Sequence, residues 1–232
     1  ALNQALARAN ADVFAFLDDD DCWMPRFLDC QMATLLAHPE LDLVFSNFRN
    51  VNIARNLDED GFRQNATGLN RLQTEELESG ARRIIKGFLE GIATENFIAF
   101  DAAVMRKHLF EQVGIFNTDL NGGEDFEFWW RAGLQGLQAA FSEEIGLIRY
   151  KYPGSLSGSD VAARLNFLQT LDACAEASRQ AGIDRRKTVQ KPPECRGGFA
   201  SAENRRRHRR TRPGYFRIQY PAGYGCGTAF SR

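Results

Sequence analysis

Four consecutive carboxylates, Asp18-Asp19-Asp20-Asp21, follow directly on the apolar run Val13-Phe14-Ala15-Phe16-Leu17, and Cys22-Trp23-Met24-Pro25 comes next. Carboxylates crowded together repel one another unless a cation or hydrogen-bond donors offset their charge. Hard oxygen ligands of this kind suit Mg²⁺ or Mn²⁺, often shared with a phosphate-bearing substrate. The bland alternative is a solvated acidic turn after a strand, since Asp favours turns. About a hundred residues later Gly122-Gly123-Glu124-Asp125 leads into Phe126-Glu127-Phe128-Trp129-Trp130. Here two glycines and two carboxylates open a predicted helix. Acidic residues in a first helical turn complement the helix dipole, which is the purely structural reading of Glu124 and Asp125.

The elements around these residues follow from periodicity. A continuous apolar run such as 13–17 reads as a strand buried on both faces of a parallel sheet. Ligands of open α/β sheets bind beyond the carboxyl ends of the strands, where the aspartates would lie. Leu2, Ala5, Leu6 and Ala9 predict a helix before that strand, and Phe27 to Leu36 predict one after it, ending near His38-Pro39. Residues 41–46 read as a strand, 49–68 as a polar, Asn-rich surface loop, and 70–91 as a helix. Residues 96–100 read as a short strand, followed by a helix around 102–112 that carries a solvated His108. A helix begins at Glu124, two short strands span 138–141 and 145–150, and a last helix runs from about 159 to 181. Trp129 and Trp130 would offer a stacking face, although aromatics at helical positions are more often core.

Charge divides the chain sharply. From Lys191 onward ten Lys and Arg face only Glu194 and Glu203, a net +8, which leaves −9 of the overall −1 to residues 1–190. The body is acidic and the tail basic, with its densest run at Arg205-Arg206-Arg207-His208-Arg209-Arg210. Such a tail reads as a disordered or out-of-frame segment, or else as a binder of nucleic acid or anionic lipid. The expected domains are 1–185 and 186–232. Five scattered cysteines, with no Cys-x-x-Cys pair and no His at zinc-finger spacing, fit reduced thiols in a cytoplasmic setting. No apolar run approaches the length of a membrane span, and no signal peptide is visible.

Taken together, Phe16-Leu17-Asp18-Asp19-Asp20-Asp21-x-Trp-x-Pro and Gly122-Gly123-Glu124-Asp125-Phe126-Glu127-Phe128-Trp129 resemble the family 2 inverting glycosyltransferases of the GT-A fold. Ala1-Leu2-Asn3 is similar to the Ala-Arg-Asn that precedes the family's Asp-x-Asp strand. Phe110-Glu111-x-Val113-Gly114-x-Phe116-Asn117 looks like the stretch before its Glu-Asp motif, and Pro153-Gly154-Ser155-Leu156-Ser157 resembles a later element. The resemblance covers residues 1 to about 180. It implies an α/β architecture, a Rossmann-like mixed sheet flanked by helices, with the family's first strands and base-reading aspartate missing at the amino terminus.

The resemblance also implies the chemistry. Asp18 and Asp20 stand as the Asp-x-Asp pair, Asp20 holding Mn²⁺ or Mg²⁺ and Asp18 facing the nucleotide ribose. Asp21 supports them, and Asp19 is a spacer. Asp125 matches the base that takes the acceptor hydroxyl proton, while Glu124, Gly122, Gly123 and Trp129 fall on the acceptor side. The implied reaction moves a sugar from a nucleotide-diphospho-sugar to a saccharide, lipid-linked or protein acceptor, as in polysaccharide biosynthesis. It would take place in the cytoplasm, with peripheral contact at the inner face of the plasma membrane and no specific nucleic acid. Many relatives carry a histidine that completes the metal site, and Tyr152 occupies that position here. Two rivals stand beside this reading. A nucleotidyl- or phosphoryltransferase would require further carboxylates converging on Asp18 to Asp21. An inactive truncated remnant would use only its basic tail, to bind polyanions.

Overall fold

A computed structural model describes residues 1–152 and 161–182, with side chains of the last helix from residue 165 onward. The chain divides into units Ala1–Pro192 and Pro193–Arg232. The second unit, the expected tail from 186 and the Pro153-to-Ser157 element lie outside the described residues. Helix α1 (Leu2–Arg8) leads into β1 (Val13–Ala15), then β2 (Cys22–Trp23) and α2 (Phe27–Ala37). Next come β3 (Leu43–Asn52), β4 (Leu57–Asp60), the short helices α3 (Gly61–Gln64) and α4 (Ala66–Leu69), and the strands β5 (Gln73–Glu76) and β6 (Arg82–Lys86). Helix α5 (Phe88–Thr94), a 3₁₀ turn (Phe100–Ala102), β7 (Ala103–Arg106) and α6 (Lys107–Val113) follow. The described part ends with α7 (Glu124–Leu134), β8 (Ala139–Tyr150) and α8 (Val161–Gln180).

The strands form one mixed sheet in the order β1-β7-β3-β8-β6-β5, with β2 paired to β8 and β4 to β3. Only β3 and β8 run parallel; the other pairings among the described residues are antiparallel. Side chains alternate across a strand, so neighbouring residues enter opposite layers. Leu43, Phe45, Ala103 and Met105 join Phe14 beneath α5, α6 and α7. Val44, Val104 and Ala140 pack with Phe27, Leu35 and Leu41 on the α2 side. Helices therefore cover both faces of the sheet, the three-layer arrangement expected of α/β chains.

Several local expectations are corrected. Strand β1 does pack on both faces, but its partner β7 is antiparallel, and it stops at Ala15, before Phe16 and Leu17. Residues 49–68 are not a loop: β3 runs to Asn52 and turns through Asn56, at φ +50°, into β4. Asn47 holds this hairpin by donating to Asp60 (3.1 Å) and accepting from the Phe62 amide (3.0 Å). The helix expected over 70–91 is the β5–β6 hairpin followed by α5. Gly80, at φ +78°, supplies the turn, and Ile84 points inward while Ile85 points out, a period of two. Residues 96–99 form no strand: Phe97, Ile98 and Ala99 are buried in the core, Phe97 between Phe45 of β3 and Phe88 of α5. The helix expected from 102 begins only at Lys107, since Ala103 to Met105 bridge β1 and β3. The two strands expected at 138–141 and 145–150 form the single β8, interrupted by a bulge opposite Ser46 to Phe48. His108 is not simply solvated: its Nε2 meets Asp42, a buried carboxylate that also accepts from the Gln138 amide at 2.8 Å.

Candidate active site

The aspartate run does not continue the strand. The Asp21 amide donates to the Asp18 carbonyl at 3.2 Å, closing a turn whose tip is Asp19 and Asp20. Such a turn brings its first and fourth residues together and turns the middle two outward. Asp18, Asp19 and Asp20 are all exposed, and Asp21 is half-buried. Asp18 and Asp21 meet a third carboxylate, Asp101, and oxygens of all three lie within 4.8 Å of one another. Asp101 comes from the 3₁₀ turn and is only 3% exposed.

Two contacts bring these distant segments together. Phe16 stacks on Phe100 with centroids 4.9 Å apart, and the Trp23 indole N–H donates to the Asp101 carbonyl at 2.7 Å. The apolar residue before the run and the tryptophan after it thus both grip the 3₁₀ turn. Asp21 also accepts from the Tyr150 amide at 3.0 Å and faces Arg149 Nε at 3.8 Å, both at the end of β8.

The electrostatics follow from this crowding. Burial, then a hydrogen bond with Asp21 and the charges of Asp18 and Asp21, push the Asp101 carboxyl up to about 8. Burial and the neighbouring Asp21 and Asp20 charges also raise Asp18. Three converging carboxylates are a hard-oxygen donor set that a small divalent cation fits. Asp101 Oδ1 is buried without a hydrogen-bond partner, a further sign that the set suits a cation.

A second carboxylate lies at the start of α7. Gly123, at φ +76°, caps the helix in a left-handed conformation, and Thr170 of α8 donates to the Gly122 carbonyl at 3.0 Å. Asp125 accepts from its neighbour, the Phe126 amide, at 2.7 Å and from Asn96 Nδ2 at 3.4 Å. Burial raises its carboxyl and the Glu124 charge adds to this, while the Phe126 amide, Arg149 and Asn96 act the other way. Glu124 is half-buried beside it. Trp129 lies wholly in the core against Phe100 and Phe128, so its indole offers no face to an acceptor. Trp130 is buried too and donates to Ser178 at 2.9 Å.

Segment 96–101 thus touches both carboxylate groups, through Asn96 at one end and Asp101 at the other. Arg149 lies beside Asp21, and its charge favours the ionised forms of Asp18, Asp101 and Asp125. Sequence reasoning missed Asp101, Asn96 and Arg149. One signal was present: Phe97-Ile98-Ala99-Phe100-Asp101 repeats the pattern of an apolar run ending in aspartate. Asn3 stands in the sequence only as part of the Ala1-Leu2-Asn3 motif. It exchanges two hydrogen bonds with Phe116, donating to its carbonyl at 2.8 Å and accepting from its amide at 3.1 Å. Tyr152, at the relatives' histidine position, is 47% exposed.

A family model described as "Glycosyl transferase family 2" matches residues 1–114. The match includes Asp18 to Asp21 and Asp101 and ends before Glu124 and Asp125. Among solved structures, the chain is similar to S. aureus TarS 1-349 in complex with UDP-GlcNAc, with a TM-score of 0.54 and 18% identity. That likeness covers 79% of this chain and 47% of TarS 1-349. TarS 1-349 alone gives a TM-score of 0.51 at 18% identity, covering 79% of this chain and 45% of its own. The fold is therefore GT-A, and the chain spans about half the length of these structures. A comparison with curated proteins finds no match.

Proposed function

We propose, starting from residues 1–114 as a glycosyl transferase family 2 sequence, that this chain transfers a sugar from a nucleotide-diphospho-sugar to an acceptor hydroxyl, with inversion. The observation that carries this reading is segment 96–101, which meets the aspartate turn beyond β1 through Asp101 and the carboxylate at the start of α7 through Asn96. A displacement at an anomeric carbon needs charge neutralisation on one side and a base on the other. A divalent cation bound among the Asp18-to-Asp21 carboxylates would neutralise charge on the departing diphosphate. Arg149 and the half-buried Lys151 add positive charge at the same end of β8.

Asp125 then accepts the proton of the acceptor hydroxyl as its oxygen bonds to the anomeric carbon. The bond from that carbon to the diphosphate breaks, and its electron pair leaves with the nucleotide. Glu124 and the open backbone at Gly122 face the acceptor, a saccharide or a lipid-linked sugar, while Gly123 packs against Thr170 and sets the turn that presents them. The UDP-GlcNAc in complex with TarS 1-349 makes uridine nucleotides the first to try. Peripheral contact with a membrane surface would bring a lipid-linked acceptor within reach; among the described residues no helix is long and apolar enough to cross a membrane.

One observation favours the phosphoryl- or nucleotidyl-transfer rival, because Asp101 is a further carboxylate converging on Asp18 and Asp21. A single experiment separates the two. The chain is titrated calorimetrically with UDP and GDP, with and without Mn²⁺, then incubated with UDP-sugars and acceptors and the products read by NMR. Metal-dependent nucleotide binding and an inverted glycoside are expected. Retention of configuration would refute the single displacement, and release of UMP rather than UDP would establish the rival.

A further inference from the structure

Strand β3 carries an amide with an unused hydrogen-bonding atom near the aspartate turn. Asn50, 6% exposed, donates through Nδ2 to Gln64 Oε1 of α3 at 2.7 Å, and its Oδ1 has no hydrogen-bond partner among the described residues. We infer that Asn50 hydrogen-bonds a hydroxyl of the sugar being transferred and helps select the donor by that hydroxyl. This inference rests on the glycosyl-transfer reading above and adds a specificity-determining residue to it.

Asn50 lies opposite Arg149 in the parallel β3–β8 pairing, so the two side chains leave the same face of the sheet, near the carboxyl ends of both strands. That end is where open α/β sheets take their ligands. Arg149 does not supply the missing bond, because its guanidinium lies over the Phe48 ring at 5.7 Å and its Nε is 3.8 Å from Asp21. Asn50 is thus one strand away from an arginine that reaches the diphosphate side of the proposed transfer. The part of the donor joined to that diphosphate is the sugar. Gln64 is exposed, so the amide pair borders solvent and not closed core. A buried amide oxygen left unpaired is costly, and a partner that arrives with the substrate removes the cost. If both amides turn over, Gln64 donates and Asn50 Nδ2 is left unpaired instead. A hydroxyl, which accepts as well as donates, satisfies either arrangement, whereas a phosphate oxygen satisfies only the second.

The test uses the full chain with Mn²⁺ and, as probes, UDP, UDP-GlcNAc, UDP-glucose and UDP-galactose, read by calorimetry. Asn50→Ala should weaken the tightest-binding UDP-sugar about three- to tenfold, the range for one hydrogen bond, and leave UDP within about twofold. Asn50→Ser takes its place if circular dichroism shows that the alanine variant does not fold. Deoxy analogues of the preferred UDP-sugar, each lacking one hydroxyl, give a readout that a merely structural role would not move. Removing one particular hydroxyl should weaken binding to the wild type and leave binding to the variant unchanged. Equal sensitivity to every analogue in both proteins overturns the inference while sugar transfer stands. So does a parallel loss of UDP affinity, or a change confined to the KM of the acceptor. A wild-type chain that binds neither UDP nor any of the UDP-sugars overturns both.

Discussion

Asp125 occupies a first helical turn where the dipole and the Phe126 amide favour its ionised form, yet burial beside Glu124 raises its proton affinity overall. A base works only when deprotonated, so activity should rise with pH through its pKa. The acid limb of kcat/KM is therefore expected above the ordinary aspartate value of about 3.9. The neighbours predict opposite shifts of that limb. Asn96→Ala removes a hydrogen bond to the carboxylate and should move it to higher pH, whereas Glu124→Gln removes a like charge and should move it lower. Asp125→Asn should cost roughly 10²- to 10⁴-fold in kcat with Mn²⁺-dependent UDP binding retained. Loss of nucleotide binding in that variant, or a limb indifferent to both neighbours, would remove Asp125 from the role of base. The sequence displayed Asp125 openly, because it sits in a local motif. Asn96 was hidden, because it meets Asp125 only through the fold.

Helix α7 presents Asp125, and what fixes α7 is partly aromatic and partly ionic. Phe126, Phe128, Trp129 and Trp130 are buried, contributing about 1.5–3 kcal/mol for a side chain such as Phe. Glu127, 3% exposed, pairs with Arg131 at 2.7 Å, and Arg131 also donates to the carbonyls of Val113 and Ile115. One guanidinium thereby ties the end of α6 and the following turn to α7. Arg131→Met would leave Glu127 buried and unpaired, and urea unfolding should show a loss of about 3–5 kcal/mol. A second variant reports on the cap: an alanine Cβ at Gly123 would lie 2.7 Å from Thr170 Oγ1, at a φ of +76°. Gly123→Ala should destabilise by about 1–2 kcal/mol in the same assay, from the left-handed backbone alone. Helices α2 and α7 were legible from the sequence because each buries apolar residues at helical spacing, whereas α1 only half-buries Leu2 and Leu6, and α8 buries Cys174 and Ala175 while Leu165 and Leu168 stay exposed. The β5–β6 hairpin was not legible, since Leu72, Leu77, Ile84 and Ile85 also satisfy a helical spacing over that window. Gly80 and the β-branched pair Ile84-Ile85 were the signals that favoured strands.

Across the whole molecule, the candidate site is assembled from segments that only the sheet brings together. Asp18 and Asp21 follow β1, Asp101 precedes β7, Arg149 ends β8 and Asp125 begins α7. Position alone made the first and last legible, as carboxylates clustered beside a strand or at the start of a helix. Asp101 and Arg149 carry no local mark of function, and their place depends on β7 lying between β1 and β3 and on β8 pairing with β3. That same dispersal has a measurable consequence. A ligand gripping residues so far apart in sequence binds the native state and not the unfolded chain, and so stabilises it by mass action. For the Mn²⁺-loaded chain, adding UDP at one hundred times its dissociation constant should give about 2.7 kcal/mol. For a domain of this size that is a rise of roughly 5–10 °C in melting temperature, reversed by EDTA. Asp125→Asn should keep the full rise, because the proposed transfer puts Asp125 on the acceptor side, whereas Asp21→Asn should abolish most of it. Equal rises in both variants would mean that nucleotide and metal bind elsewhere than between β1 and the 3₁₀ turn.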